Sequence, residues 1–126
     1  MKEVDSKFVL DLPGVELVEV NGLPAVRVEI PSASGLLYLQ GAHLAAFRPA
    51  GQEPVIWMSE NAVYRAGKAL RGGVPICFPW FGPHVEHPEL PAHGFARTSA
   101  FEYRGARRDS TGRVELELAL DSNDQH

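Results

Sequence analysis

Arg71, His93 and Arg97 are the residues whose types and spacing point most directly to chemistry. A guanidinium presents paired donors in one plane, which matches a carboxylate or a phosphate. Arg71 is followed by Gly72-Gly73, which lets the backbone turn sharply and come close to a ligand. Arg97 closes the run His93-Gly94-Phe95-Ala96. Two arginines with a histidine between them make a clamp for an anion or a sugar phosphate. The same arginines can instead be surface residues paired with Glu60, Glu86 or Glu89.

Other groups suggest other chemistry. His84, His87 and His93, with Glu86 and Glu89 nearby, are ligand types used for zinc, iron or manganese. Their spacing fits neither a closed zinc site nor the two-histidine helix motif, and Pro88 and Pro91 forbid a helix there, so no metal site is expected. Cys77, between Ile76 and Phe78, reads as a small buried hydrophobe rather than a nucleophile. No Ser-His-Asp or phosphate-loop motif is present. Phe78, Trp80, Phe81 and Phe95 offer either a stacking surface for the apolar face of a sugar or a plug for one end of the fold.

The elements that must position these groups are unusual. The 27 residues from Arg71 to Arg97 hold five of the ten prolines and four of the twelve glycines. That is too much proline for a helix interior or a central strand, so the segment is a long loop. Ile76, Phe78, Trp80, Phe81 and Phe95 argue that it is ordered, forming a wall around a polar ligand.

Strand signals fill the rest. Val15 to Val20 and Ala25 to Ile30 alternate around Asn21-Gly22, the strongest short-range hairpin signal, with Leu23-Pro24 expected to lengthen the turn. Pro31 to Gly35 reads as a turn, Leu36 to Gln40 and His43 to Arg48 as strands, and Val55 to Met58 as a short buried strand. A helical turn is expected at Glu60 to Tyr64. Beyond the loop come a strand at Ala100 to Arg104, a turn at Asp109 to Gly112, and a strand from Val114 to Leu120 with Val114, Leu116, Leu118 and Leu120 inward and Glu115 and Glu117 in water. Strands about ten residues apart, without repeats or linkers, predict an all-β sandwich or barrel in one domain covering 1–126.

Composition bounds the partners. A 126-residue chain with 44% hydrophobic residues has material for one core. A formal charge of −4 makes neither nucleic acid nor an anionic membrane an expected partner, while local arginines still permit an anionic small molecule. The first residues, MKEVDSKFVLDL, lack the apolar stretch of a signal peptide, and no run reaches the length of a membrane span. With a lone cysteine, a cytoplasmic location is expected.

At the two loop motifs the chain resembles a known family. Arg71-Gly-Gly-Val-Pro-Ile-Cys-Phe-Pro-Trp-Phe-Gly82 and Pro91-Ala-His-Gly-Phe-Ala-Arg97 are similar to the hexose-6-phosphate mutarotases, the glucose-6-phosphate 1-epimerase branch of the galactose mutarotase-like superfamily. Gln40-Gly-Ala-His-Leu44 and Pro54-Val-Ile-Trp-Met-Ser59 share the likeness, which spans about residues 34 to 105. The resemblance implies an antiparallel β-sandwich, of which this chain is the N-terminal part, and cofactor-free interconversion of the α and β anomers of a hexose 6-phosphate. It implies that Arg71, His93 and Arg97 bind substrate, His93 near the ring oxygen. Ala92 stands where some relatives carry a polar residue.

It further implies that the acid histidine and base glutamate lie later in the family's chain than the residues present here, so no catalytic residue is assigned and little activity is expected of this chain alone. Two alternatives stay open: a non-catalytic sugar or sugar-phosphate binding module, and a metal-dependent barrel of cupin type. Unpaired sandwich surfaces lead to the expectation of a homodimer.

Overall fold

The computed structural model describes residues 7–60, 62–78 and 80–120. Among them six strands form: β1 (Val15–Val20), β2 (Leu23–Ile30), β3 (Ala33–Tyr38), β4 (His43–Pro49), β5 (Glu102–Arg108) and β6 (Val114–Ala119). The first four make an antiparallel meander in the order β1-β2-β3-β4, and β5 pairs antiparallel with β6 in a second sheet. One 3-10 turn, Ala96–Thr98, precedes β5. The all-β expectation holds.

Turn chemistry sets the first register. Asn21 and Gly22 both take positive φ, 55° and 81°, and Val20 pairs directly with Leu23. Both central residues in the left-handed region match the twist of the flanking strands, as a two-residue hairpin turn requires. The longer turn expected from Leu23-Pro24 does not form, because both residues belong to β2. The next turn is also tighter than expected. Ile30 pairs with Ala33, leaving only Pro31-Ser32 between the strands, so Ser34 and Gly35 join β3 rather than a loop.

The four-stranded sheet buries both faces. Val26 and Val28 of β2, with Val15, pack against Ala106, Tyr103, Val114 and Leu116 of the β5–β6 hairpin. On the other face Leu23, Ala25, Tyr38 and Ala45 pack against Leu70, Met58 and Tyr64. Leu36 and Leu37 of β3 face Ala46 and Leu44, so Ala45 is the extra residue of a bulge that turns it into this second core. In β6, Val114 and Leu116 point inward as the alternation requires and Glu117 is exposed. Glu115 is half-buried instead of solvated, and it pairs with the directly opposite Arg107 at 3.1 Å.

Val55 to Met58 is not a strand. Ile56 and Met58 each make one isolated bridge, to Phe47 and Gly72, while Val55 and Trp57 stay exposed. The bridges switch partner from Phe47 to Gly72 between Ile56 and Met58, so no continuous ladder closes. The helical turn expected at Glu60 to Tyr64 is also absent among the described residues; Ala62 N–H to Ser59 carbonyl, at 3.1 Å, is the turn seen there.

Candidate functional site

The β3–β4 connection gathers both loop motifs. Gly41 and Ala42 take left-handed φ of 73° and 44°, which reverses the chain after Leu39. Gly41 N–H donates to the Ser99 carbonyl at 2.7 Å, and Phe101 N–H donates to the Leu39 carbonyl at 2.9 Å, so the Arg97 turn lies across this connection. On its other side, Leu44 and Val74 exchange both backbone bonds, at 3.2 and 2.8 Å. Even fully extended, two residues span at most about 7 Å. Gly41 and His43 therefore hold the backbones of the two arginine motifs a short distance apart.

The side chain of Gln40, buried beside Gly41, fastens the approach to Arg71. Its amide nitrogen donates to the carbonyls of Lys68 at 2.6 Å and Arg65 at 3.1 Å, and its oxygen accepts from Gly67 N–H at 2.8 Å. His43 continues the fastening. Its ring is 1% exposed, and Nε2 lies 2.6 Å from the Gly72 carbonyl. A carbonyl only accepts, so Nε2 carries the hydrogen and Nδ1 is the bare nitrogen. Burial pushes the His43 pKa below the usual histidine value, against the opposing pull of the Gly72 bond.

The long loop folds back on itself. Phe78 carbonyl accepts from both Phe95 and Ala96 N–H, at 3.0 and 3.1 Å, and Trp80 Nε1 donates to the Pro91 carbonyl at 3.0 Å. Gly82 and His93 close a reciprocal pair: His93 N–H donates to the Gly82 carbonyl at 2.9 Å, and Gly82 N–H donates to His93 Nδ1 at 3.0 Å. That second bond fixes the neutral tautomer, leaving the hydrogen of His93 on Nε2 as a donor. His93 takes φ of 65°, which few non-glycine residues adopt. The Phe81 ring, 80% exposed, sits edge-on to the His93 ring at 4.7 Å, while Trp80 packs against Phe95.

Arg71 is exposed, and its carbonyl accepts from Ser59 N–H at 3.0 Å. Arg97 is half-buried on the 3-10 turn; Nη2 donates to the Ala92 carbonyl at 3.1 Å, and Nε is buried with no partner among the described residues. A buried donor left without an acceptor costs about 1–3 kcal/mol, more when charged. Neither arginine pairs with Glu60, Glu86 or Glu89 among the described residues, and Glu89 faces His87 at 3.4 Å. Arg71, His93 and Arg97 are not bonded to one another there; what joins them is the shared backbone frame.

No group of three or more metal-ligand side chains stands together among the described residues. His84 Nδ1 accepts from the N–H groups of Glu86 and His87, which makes it a turn-forming residue. A cavity of about 480 Å³ lies elsewhere: Val28, Ile30, Leu37, Leu44, Val114 and Leu116 are among its lining residues, and the two arginines and His93 are not. Its apolar walls suit packing between the sheets, so the polar frame of the loop is the better candidate site. From sequence, Gln40 and His43 fall only in strands and in the Gln40 to Leu44 segment of the family likeness, with no site role of their own. The signal available was polar residues at inward positions beside a glycine.

Antiparallel sheets carrying a loop of this kind define a β-sandwich of the galactose mutarotase-like class. The overlay supports that class: a crystal structure of a "putative mutarotase" from Salmonella typhimurium superposes with a TM-score of 0.82 at 39% identity, covering 94% of this chain and 40% of that one. Residues 25–126 match the aldose 1-epimerase family, and the chain belongs to it. Relatives named "putative glucose-6-phosphate 1-epimerase" include one from Escherichia coli K12, 37% identical over 94% of this chain and 42% of its own length. Another, from Salmonella typhimurium, is 42% identical over 84% of this chain and 35% of its own length. The chain thus spans about two fifths of the length of these relatives.

Proposed function

We propose that this chain serves the interconversion of the α and β anomers of a hexose 6-phosphate, with Arg71, His93 and Arg97 binding the substrate. The observation that supports this reading is the β3–β4 connection, where Gly41 bonds Ser99, just past one arginine motif, and Leu44 bonds Val74 of the other. In the reaction a carboxylate takes the proton of the anomeric hydroxyl as a proton is delivered to the ring oxygen. The ring C–O bond breaks, the aldehyde carbon turns about one bond, and the ring closes on its other face. Neither step needs a cofactor.

His93 contributes a fixed donor. With Nδ1 committed to Gly82, Nε2–H is placed to hydrogen-bond an oxygen of the sugar near the ring. The guanidinium groups hold the phosphate. The proton-transferring pair is assigned to no residue of this chain. Since such groups contribute about 10²- to 10⁴-fold, the 126-residue chain alone should bind sugar phosphate and exchange anomers near the uncatalysed rate. Following anomer exchange of glucose 6-phosphate by NMR tests this; full turnover by the isolated chain would refute the division of labour. A non-catalytic sugar-phosphate module differs in one respect: it would bind equally well and show no exchange even when the sequence is extended to the full length of its relatives.

A further inference from the structure

We propose that His43 is a positioning residue for Arg71: its buried Nε2–H holds the Gly72 carbonyl and so sets the direction in which the Arg71 guanidinium leaves the backbone. The inference rests on the sugar-phosphate reading above and extends it to a side chain that touches no ligand.

Several observations converge on this turn. Gly72 and Gly73 take left-handed φ of 92° and 65°, so the peptide units around them are rotated out of any extended path. Neither has room for a side chain. A Cβ on Gly72 would lie 2.8 Å from the Met58 Cα, and one on Gly73 would lie 2.9 Å from His43 Nε2. The turn is thus pressed between Met58-Ser59 on one side and His43-Leu44 on the other. Backbone bonds secure the flanks: Ser59 N–H to the Arg71 carbonyl and Gly73 N–H to the Trp57 carbonyl, both at 3.0 Å. The carbonyl between them, that of Gly72, is held by the His43 side chain at 2.6 Å.

The imidazole is matched to that task. It stands on the same face of the sheet as Tyr38, its direct partner in β3, and is among the largest fully buried side chains. A phenylalanine would fill comparable space without donating a bond. Removing the donor leaves the Gly72 carbonyl without that partner, at a cost that is large compared with the small rotation needed to free the peptide. Since Gly72 immediately follows Arg71, such a rotation swings the guanidinium away from the frame shared with Arg97.

Three variants separate positioning from packing. Glutamine places an amide nitrogen where Nε2 stands, asparagine places its amide only as far as Nδ1, and phenylalanine supplies the bulk alone. The 126-residue chain and its His43→Gln, His43→Asn and His43→Phe variants would be titrated with glucose 6-phosphate, and the amide order of residues 71–73 would be followed by NMR relaxation. The expected result is that His43→Gln retains affinity within about threefold, whereas His43→Asn and His43→Phe weaken binding about tenfold or more and loosen residues 71–73. Equal affinity and equal order in all four proteins would overturn the proposal. If His43→Phe does not fold, the Gln and Asn variants decide. If the unmodified chain shows no affinity, the sugar-phosphate reading has failed, and amide order still settles whether His43 holds the turn.

Discussion

Gly41 lies so close to Arg97 that a Cβ added to it would stand 2.6 Å from the Arg97 carbonyl oxygen and 2.9 Å from its Cα. The tip of the β3–β4 connection is thus in backbone contact with one end of the long loop. Since the same connection carries His43 two residues later, a single short segment sets the spacing of both arginine motifs.

Gly41→Ala should therefore disturb the site and the fold together. The position has φ of 73° in addition to the close contact, so the strain of a left-handed alanine, about 1–2 kcal/mol, adds to displacement of the Arg97 backbone. Denaturant unfolding should show a loss of about 2 kcal/mol or more. Glucose 6-phosphate affinity should fall with it. A fully stable Gly41→Ala chain would contradict the close contact.

Arg71→Ala and Arg97→Ala should each weaken glucose 6-phosphate binding about tenfold or more, the range of a lost charge-assisted hydrogen bond. Calorimetry with glucose 6-phosphate and with glucose checks the assignment, since loss confined to the phosphorylated sugar identifies a phosphate contact. Arg97→Lys should restore little, because an ammonium lacks the planar fork that bonds the Ala92 carbonyl and an anion together.

His93→Asn should separate the two uses of His93. Asparagine tolerates the left-handed φ of 65°, and its carbonyl can accept the Gly82 N–H in place of Nδ1. The loop should keep its amide shifts while the donor at Nε2 is lost. Sugar-phosphate affinity should drop several-fold, with unfolding changed by less than about 1 kcal/mol. A large loss of stability would mean that the ring is held for packing alone.

Stability should fall in mild acid because of His43. Burial depresses its folded pKa below the ordinary value of 6.5, so between the folded pKa and 6.5 the unfolded chain binds more protons than the folded one. Stability is therefore unaffected by this group above about pH 6.5 and declines as pH falls below it, by at most about 1.4 kcal/mol per pH unit. Denaturant midpoints measured from neutral pH downward should show the decline, and His43→Gln should flatten it.

Much of this arrangement was legible in the residues. Asn21-Gly22 announced its hairpin because only a few residue types accept two successive positive φ values, and Asp109 announced the β5–β6 turn, where its Oδ1 accepts from Thr111 and Arg113 N–H at 2.9 and 3.0 Å. The crowding of proline and glycine between Arg71 and Arg97 marked a loop, and no named strand forms among its described residues. What stayed hidden was tertiary. His43 sits in a run, His43 to Arg48, that reads simply as strand, and its partner Gly72 is 29 residues away. Gln40 likewise reads as the polar end of a strand until residues 65–68 wrap its amide. Val55 to Met58 looked like a buried strand because it is apolar, yet Trp57 and Val55 remain exposed and only isolated bridges form, at Ile56 and Met58.

The most direct measurement is a titration of the isotope-labelled 126-residue chain with glucose 6-phosphate, followed at backbone and arginine side-chain resonances. Saturable shifts concentrated at Arg71–Gly73 and His93–Arg97, and absent with glucose, are the predicted result. Shifts confined to the apolar cavity around Val28, Leu37 and Val114, or none at millimolar ligand, would contradict the assignment of the site.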